Sequence, residues 1–172
     1  ELMRPSGNVR IHQGDLFRVT FKGTPGCTAS FTIDGVRENI PMAEAKNQKY
    51  FYWGEYVFGN KSAYLDEHVE GVYEGSYLIQ PLDWRENRKI VFQLVNSKGD
   101  TITKVSPRKL SIFDNSFPQM AEVRATKATL RTGVGAGYYY FLPQKTKLQI
   151  DGQYGNYLRV KLSEIEKAFV QK

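Results

Sequence analysis

Two histidines, one cysteine and a scatter of carboxylates are the side chains of this 172-residue sequence that chemistry would draw on. His12 and His68 stand far apart, and metal sites usually gather several His, Cys or carboxylate ligands at short or recurring spacings. They read as surface histidines, and no metal ligand is predicted. Cys27 lies in "TPGCTAS". A catalytic thiol needs a histidine partner, and the setting fits a small half-buried side chain at the start of a strand instead. The acidic candidates are Glu38, Glu44, Glu55, Asp66, Glu67 and Glu70. Their spacing singles out no acid–base pair, and acidic loop residues are commonly just solvated. No catalytic residue and no cofactor is predicted within the chain.

Binding chemistry is better represented. "LRTGVGAGYYYFLPQ", Leu130 to Gln144, places Gly133, Gly135 and Gly137 on alternate positions ahead of three tyrosines and a phenylalanine. A dinucleotide loop would need a strand before the glycines and a helix after them. Here a strand-like run follows and no Gly-Lys-Ser/Thr appears, so phosphate binding is not expected. Flat aromatic faces stack on sugar rings, and a tyrosine adds a hydroxyl. Tyr138, Tyr139, Tyr140, Tyr154 and Tyr157 are the candidates, with Arg131 and Arg159 as partners for carboxylates. Strand alternation would put Tyr138 and Tyr140 on one face and Tyr139 and Phe141 on the other, without saying which face is inside. A second aromatic cluster, "YFYWGEYVFG", offers Tyr52, Trp53 and Tyr56 within the long connection Lys46 to Glu70. It reads either as a groove or as a cap over a core.

The elements that must position these residues are strands. "DLFRVTFKG" turns Phe17, Val19 and Phe21 to one face, and "ASFTIDG" does so with Phe31 and Ile33. "GVYEGSYLIQ" alternates less cleanly. "RKIVFQLVNSKGDTITKV" reads as a hairpin around Asn96 to Asp100, with Ile102 and Val105 on its returning strand, and "RKLSIFD" as a further short strand. Pro41 opens a stretch with room for a single helical turn. "DNSFPQM", Asp114 to Met120, reads as a linker. Beyond it, "TKLQIDG" alternates Leu148 and Ile150, and "NYLRVKL" alternates Leu158, Val160 and Leu162. An all-β chain of two units is expected: a sandwich and then a small barrel.

Composition agrees. Hydrophobic residues make up 41%, charged residues 24% and aromatics 13%, which is globular. The net charge of +6 comes from lysines and arginines spread along the chain, and neither a basic stripe nor an aromatic RNA-binding signature appears. Nucleic acid is therefore not an expected partner. The lone Cys27 excludes an internal disulfide. No run reaches the roughly 18 apolar residues of a membrane span. The sequence starts at Glu1, so any signal peptide would be missing.

Two resemblances follow from the motifs. "LRTGVGAGYYY", "QKTKLQI", "GNYLRVKL" and "KAFV" together resemble a bacterial SH3-type (SH3b) domain, with Tyr157 and Phe169 where that family often has tryptophan and Val134 where it has proline. "DLFRVTFKGTPGCTASFTIDG", "IPMAE" and "GVYEGSYLIQPLD" resemble the Ig-like region that precedes the catalytic domain in some bacterial N-acetylmuramoyl-L-alanine amidases. The resemblance implies an Ig-like β-sandwich over about residues 5–115 and an SH3-like β-barrel over about 121–172. It implies a non-catalytic accessory region of a peptidoglycan hydrolase, with peptidoglycan or a wall peptide and its own downstream catalytic domain as partners. Zinc would belong to that missing domain, and the location would be the periplasm, cell envelope or exterior. The alternative is a protein–protein module that regulates or tethers its catalytic domain or an envelope partner.

Overall fold

The computed structural model describes residues 1–46, 48–51, 64–67, 70–113 and 119–172, and every regular element among them is a strand. The first unit holds β1 (Leu2–Arg4), β2 (Val9–His12), β3 (Leu16–Lys22), β4 (Thr28–Ile33), β5 (Arg37–Glu44), β6 (Gln48–Phe51), β7 (Tyr64–Glu67), β8 (Val72–Leu78), β9 (Arg85–Val95) and β10 (Thr101–Phe113). The second holds β11 (Gln119–Glu122), β12 (Lys127–Arg131), β13 (Tyr138–Pro143), β14 (Lys147–Tyr154), β15 (Tyr157–Lys161) and β16 (Lys167–Gln171).

Alternation dictates the first core. Phe17, Val19 and Phe21 of β3 are buried, as are Phe31 and Ile33 of β4, because one face of each strand points inward. They meet Tyr73 of β8, Ile90 and Phe92 of β9, Leu110 and Ile112 of β10, and Val9 and Ile11 of β2. The result is a two-layer sandwich, β1-β3-β8-β5 against β5-β4-β9-β10-β2. β5 belongs to both layers: Arg37, Ile40, Pro41 and Met42 pair with β4, while Ala43 and Glu44 pair with β8. At its centre Phe21 stacks on Tyr73 with ring centroids 5.2 Å apart and meets Phe92 at the same separation. Such pairs add to plain area burial.

Two expectations change. Pro41 starts no helical turn; it lies within β5, opposite Ser30. "RKLSIFD" is not a separate strand but the end of the 13-residue β10, whose ladder with β9 is interrupted between Val105 and Lys109, around Pro107. Proline has no N–H to give to the ladder, which accounts for a break there. The hairpin itself is as expected, with Ile102 and Val105 on its returning strand, where they are 67% and 52% exposed.

The second unit has a small core of Val123, Leu130, Leu148, Ile150, Val160, Ala168 and Val170. Its strands run β11-β14-β15-β16-β12-β13. Among the described residues β13 does not pair back onto β11, so the sheet is not closed, as the expected barrel would require. The edge of β14 away from β15 is taken instead by β11 over Lys147 to Ile150 and by β2 at Gln153 and Tyr154.

β2 therefore joins the units. It pairs parallel with β10, Val9 to His12 against Leu110 to Phe113, and antiparallel with β14. Just before it, backbone meets backbone. A Cβ on Gly7 would lie 2.5 Å from the Gly155 Cα, so only glycine fits there. The Gly155 N–H donates to the Asn8 carbonyl at 2.8 Å.

Candidate functional site

Among the described residues β13 is an outer strand that pairs with β12 alone. Its four aromatics all reach solvent: Tyr138 is 70% exposed, Tyr140 61%, Phe141 56% and Tyr139 37%. None of the four belongs to the second core. The expected split into Tyr138/Tyr140 and Tyr139/Phe141 does not hold. The ladder shifts register between Leu130 and Arg131, which face Tyr140 and Tyr138, leaving Tyr139 as the extra residue of a bulge. An extra residue breaks the two-residue period. Tyr138 and Phe141 consequently lie together, ring centroids 5.9 Å apart, while Tyr139 and Tyr140 form an edge-to-face pair at 4.6 Å.

Cations flank the first pair. The Arg131 guanidinium lies 5.1 Å from the Tyr138 ring centre, and Lys127 Nζ lies 3.8 Å from that of Phe141. Arg131 is held there by donating to the Ala136 carbonyl at 2.8 Å. The Tyr139 hydroxyl donates to the Glu166 carboxylate, which raises the phenol above its usual range. The strand thus presents two adjacent exposed rings, each with a cation over it. That arrangement can stack against a flat apolar ligand face and attract an anionic group.

The glycine loop serves this strand. Thr132 N–H donates to the Gly137 carbonyl and Ala136 N–H to the Gly133 carbonyl, closing a tight turn with Gly135 at φ +70°. Two of the loop's N–H donors, on Thr132 and Ala136, are used within the turn, which leads straight into the strand β13.

Arg159 lies elsewhere and does something else. It is 5% exposed, and its donors are used inside the chain. Nη1 and Nη2 hold both oxygens of Asp15 at 3.0 and 2.7 Å, Nε holds Asp151 at 2.7 Å, and Nη2 also donates to the Asp151 carbonyl at 2.9 Å. Asp15 belongs to the first unit and Arg159 to the second. Lys167 Nζ stands 3.5 Å from Asp15 and 3.4 Å from Asp151. Tyr154, another predicted ligand contact, packs on the first core with its hydroxyl 3.4 Å from Arg159. Tyr157 is half-buried, opposite Tyr154 and Gln171.

His12 completes this joint rather than sitting on the surface. Its Nε2 is 3.3 Å from Arg159 Nη2 and 3.8 Å from Asp151, and its Nδ1 lies 3.6 Å from Asp15. Neutral, Nε2 accepts from Arg159; protonated, it faces the Asp151 carboxylate. Asp151 raises the imidazole above its ordinary value, against burial and the Arg159 charge. Burial pushes Asp151 up, but His12 and Arg159 outweigh it and hold the carboxyl well below the usual range. Asp15 behaves likewise: burial raises it, and Arg159 with the His12 N–H lowers it further than that. A buried arginine fork with two carboxylates, shared between two units, reads as a fastening.

The remaining candidates separate plainly. Glu44 accepts from the N–H groups of Gly26 at 2.8 Å and Gly71 at 2.7 Å, so it ties turns together. Cys27 is half-buried before β4, as expected. No group of His, Cys, Asp and Glu arranged to hold a metal occurs among the described residues. Tyr52, Trp53, Tyr56, Glu55 and His68 lie outside the described residues. Among the described residues no helix is long and apolar enough to cross a membrane.

No protein-family model matches the chain, and no curated protein matches it. Among solved structures, the chain is similar to the tandem Ig repeats of Dlar, with 9% identity, a TM-score of 0.37, and coverage of 99% of this chain and 93% of that one. The N-terminal Ig1-2 module of the Drosophila receptor protein tyrosine phosphatase DLAR gives 9% identity and a TM-score of 0.36, covering 99% and 94%. Overlap this loose carries no argument about fold or function, and the architecture rests on the strands themselves.

Proposed function

We propose that this chain is a non-catalytic binding region that positions an enzyme on a cell-wall polymer. The exposed aromatic strand β13 carries the reading: four consecutive large rings left in water, two of them adjacent and flanked by Arg131 and Lys127. Exposing that much aromatic surface on an outer strand runs against the usual protection of sheet edges, and such patches commonly mark binding sites. Sugar rings would stack on Tyr138 and Phe141, and acidic wall peptides would meet the two cations. The sequence resemblance to the Ig-like and SH3b accessory regions of N-acetylmuramoyl-L-alanine amidases makes peptidoglycan the favoured polymer. On this reading zinc and catalysis belong to a separate domain, and the location is the cell envelope or outside the cell.

The test is cosedimentation with purified peptidoglycan sacculi. The chain should pellet, and the double variant Tyr138→Ala/Phe141→Ala should lose binding by about tenfold or more, as expected when two central aromatic contacts are removed. A chain that stays wholly in the supernatant refutes the reading. The second reading, a module that tethers a protein, is favoured by one observation: among the described residues the outer edge of β13 has no strand beside it.

A further inference from the structure

The junction of the two units contains a second surface, separate from β13. Along β3, Phe17, Val19 and Phe21 fill the core, so Leu16 and Arg18 emerge on the opposite, outer face. Leu16 pairs with Leu78 of β8, and the two side chains are 43% and 51% exposed, an apolar cross-strand pair left in water. Arg4 of β1 pairs with Thr20, two residues along the same face from Arg18. The second unit faces this corner with Tyr154, Gly155 and Val134, the last being 46% exposed at the tip of the glycine loop. Together these residues line a cleft of about 420 Å³.

Its chemistry is one-sided. The floor and rim are apolar: Pro5, Val9, Leu16, Phe17 and Val134. The charges on its lining are Arg4 and Arg18, and neither makes an ion pair or a side-chain hydrogen bond among the described residues. Glu74, opposite Thr20 on β8, is not within ion-pair distance of either. Two guanidiniums without a partner among the described residues, beside apolar surface, suit a ligand that supplies carboxylates next to aliphatic side chains. Clefts of this size between units are common ligand sites.

We infer that the cleft is a docking site for an extended acidic peptide, one aliphatic side chain resting against Leu16 and Val134 and flanking carboxylates pairing with Arg4 and Arg18. Charge complementarity selects this occupant over a neutral or basic segment. The site uses none of the β13 rings, so it stands or falls independently of glycan binding.

The probe is a fluorescent peptide, Asp-Leu-Glu-Leu-Asp, titrated against the chain by anisotropy, with Asn-Leu-Gln-Leu-Asn as the neutral control. The acidic peptide should bind and weaken as salt rises, and the control should not bind. Arg18→Gln and Val134→Asp should each weaken binding by about tenfold. Both side chains are exposed, and thermal melts equal to the parent's establish that the variants fold. Tyr138→Ala/Phe141→Ala should bind the peptide unchanged. The inference is overturned by no binding up to millimolar peptide, by equal binding of the neutral control, or by an unaltered affinity in Arg18→Gln.

Discussion

Replacing Arg159 with methionine tests the fastening between the units most directly. Methionine keeps much of the volume and removes the charge and every donor. Asp15 and Asp151 would then remain with side chains only 8% and 10% exposed and their main partner gone. Removing one member of a buried ion pair costs about 3–5 kcal/mol, because the other charge stays buried and uncompensated. Lys167, within 3.5 Å of both carboxylates, stays in place and offsets part of this, which puts the loss near the lower end, about 3 kcal/mol. For a chain of this size that corresponds to a fall in Tm of about 6–12 °C. The loss should also depend on pH. Native Asp15 and Asp151 titrate below their unfolded values, so their contribution is present above about pH 4 and is lost as pH falls through the native pKa values. The gap between parent and variant should therefore be widest near neutrality and close in acid. A second variant, Arg159→Met with Asp15→Asn, should recover part of the loss by removing one stranded charge. A Tm within about 2 °C of the parent at neutral pH would refute the fastening role.

Other outcomes follow from the same joint. His12 is raised in the folded chain, so its protonated form stabilises below the unfolded imidazole pKa, and that contribution is lost as pH rises through the folded value. The melting temperature of His12→Gln should fall further below the parent's at pH 5.5 than at pH 8.5; equal deficits at both would contradict this. Gly7→Ala would push a methyl against the Gly155 backbone, so its cost should be about 1–3 kcal/mol, with faster amide exchange across Val9 to His12. Unchanged exchange there would show that the two backbones are not in contact in solution.

The sandwich core was legible because burial on one face writes a two-residue period into the sequence, and Phe17, Val19, Phe21, Phe31 and Ile33 obey it. Tyr138 to Phe141 misled the same rule, since one bulged residue flips the parity and, among the described residues, no strand lies along the outer edge of β13. The joint left no local trace. Asp15 and Arg159 lie 144 residues apart in sequence, and they meet where β2 crosses to β14. The one available hint was that "LRVKL" alternates: Arg159 falls between Leu158 and Val160, and only strand register decides which of them turns toward the neighbouring unit. Arg4 and Arg18 were equally silent, since an arginine on the outer face of a strand reads as ordinary surface.

The position of β2 has a mechanical consequence. It precedes β14 by some 140 residues, so their ladder closes only across that length of chain. The assembled chain is thus held together less by the covalent segment between β10 and β11 than by a strand the second unit borrows from the first. Cutting the chain between β10 and β11 should yield two pieces that migrate together, and a force applied across the units would have to shear a β-ladder.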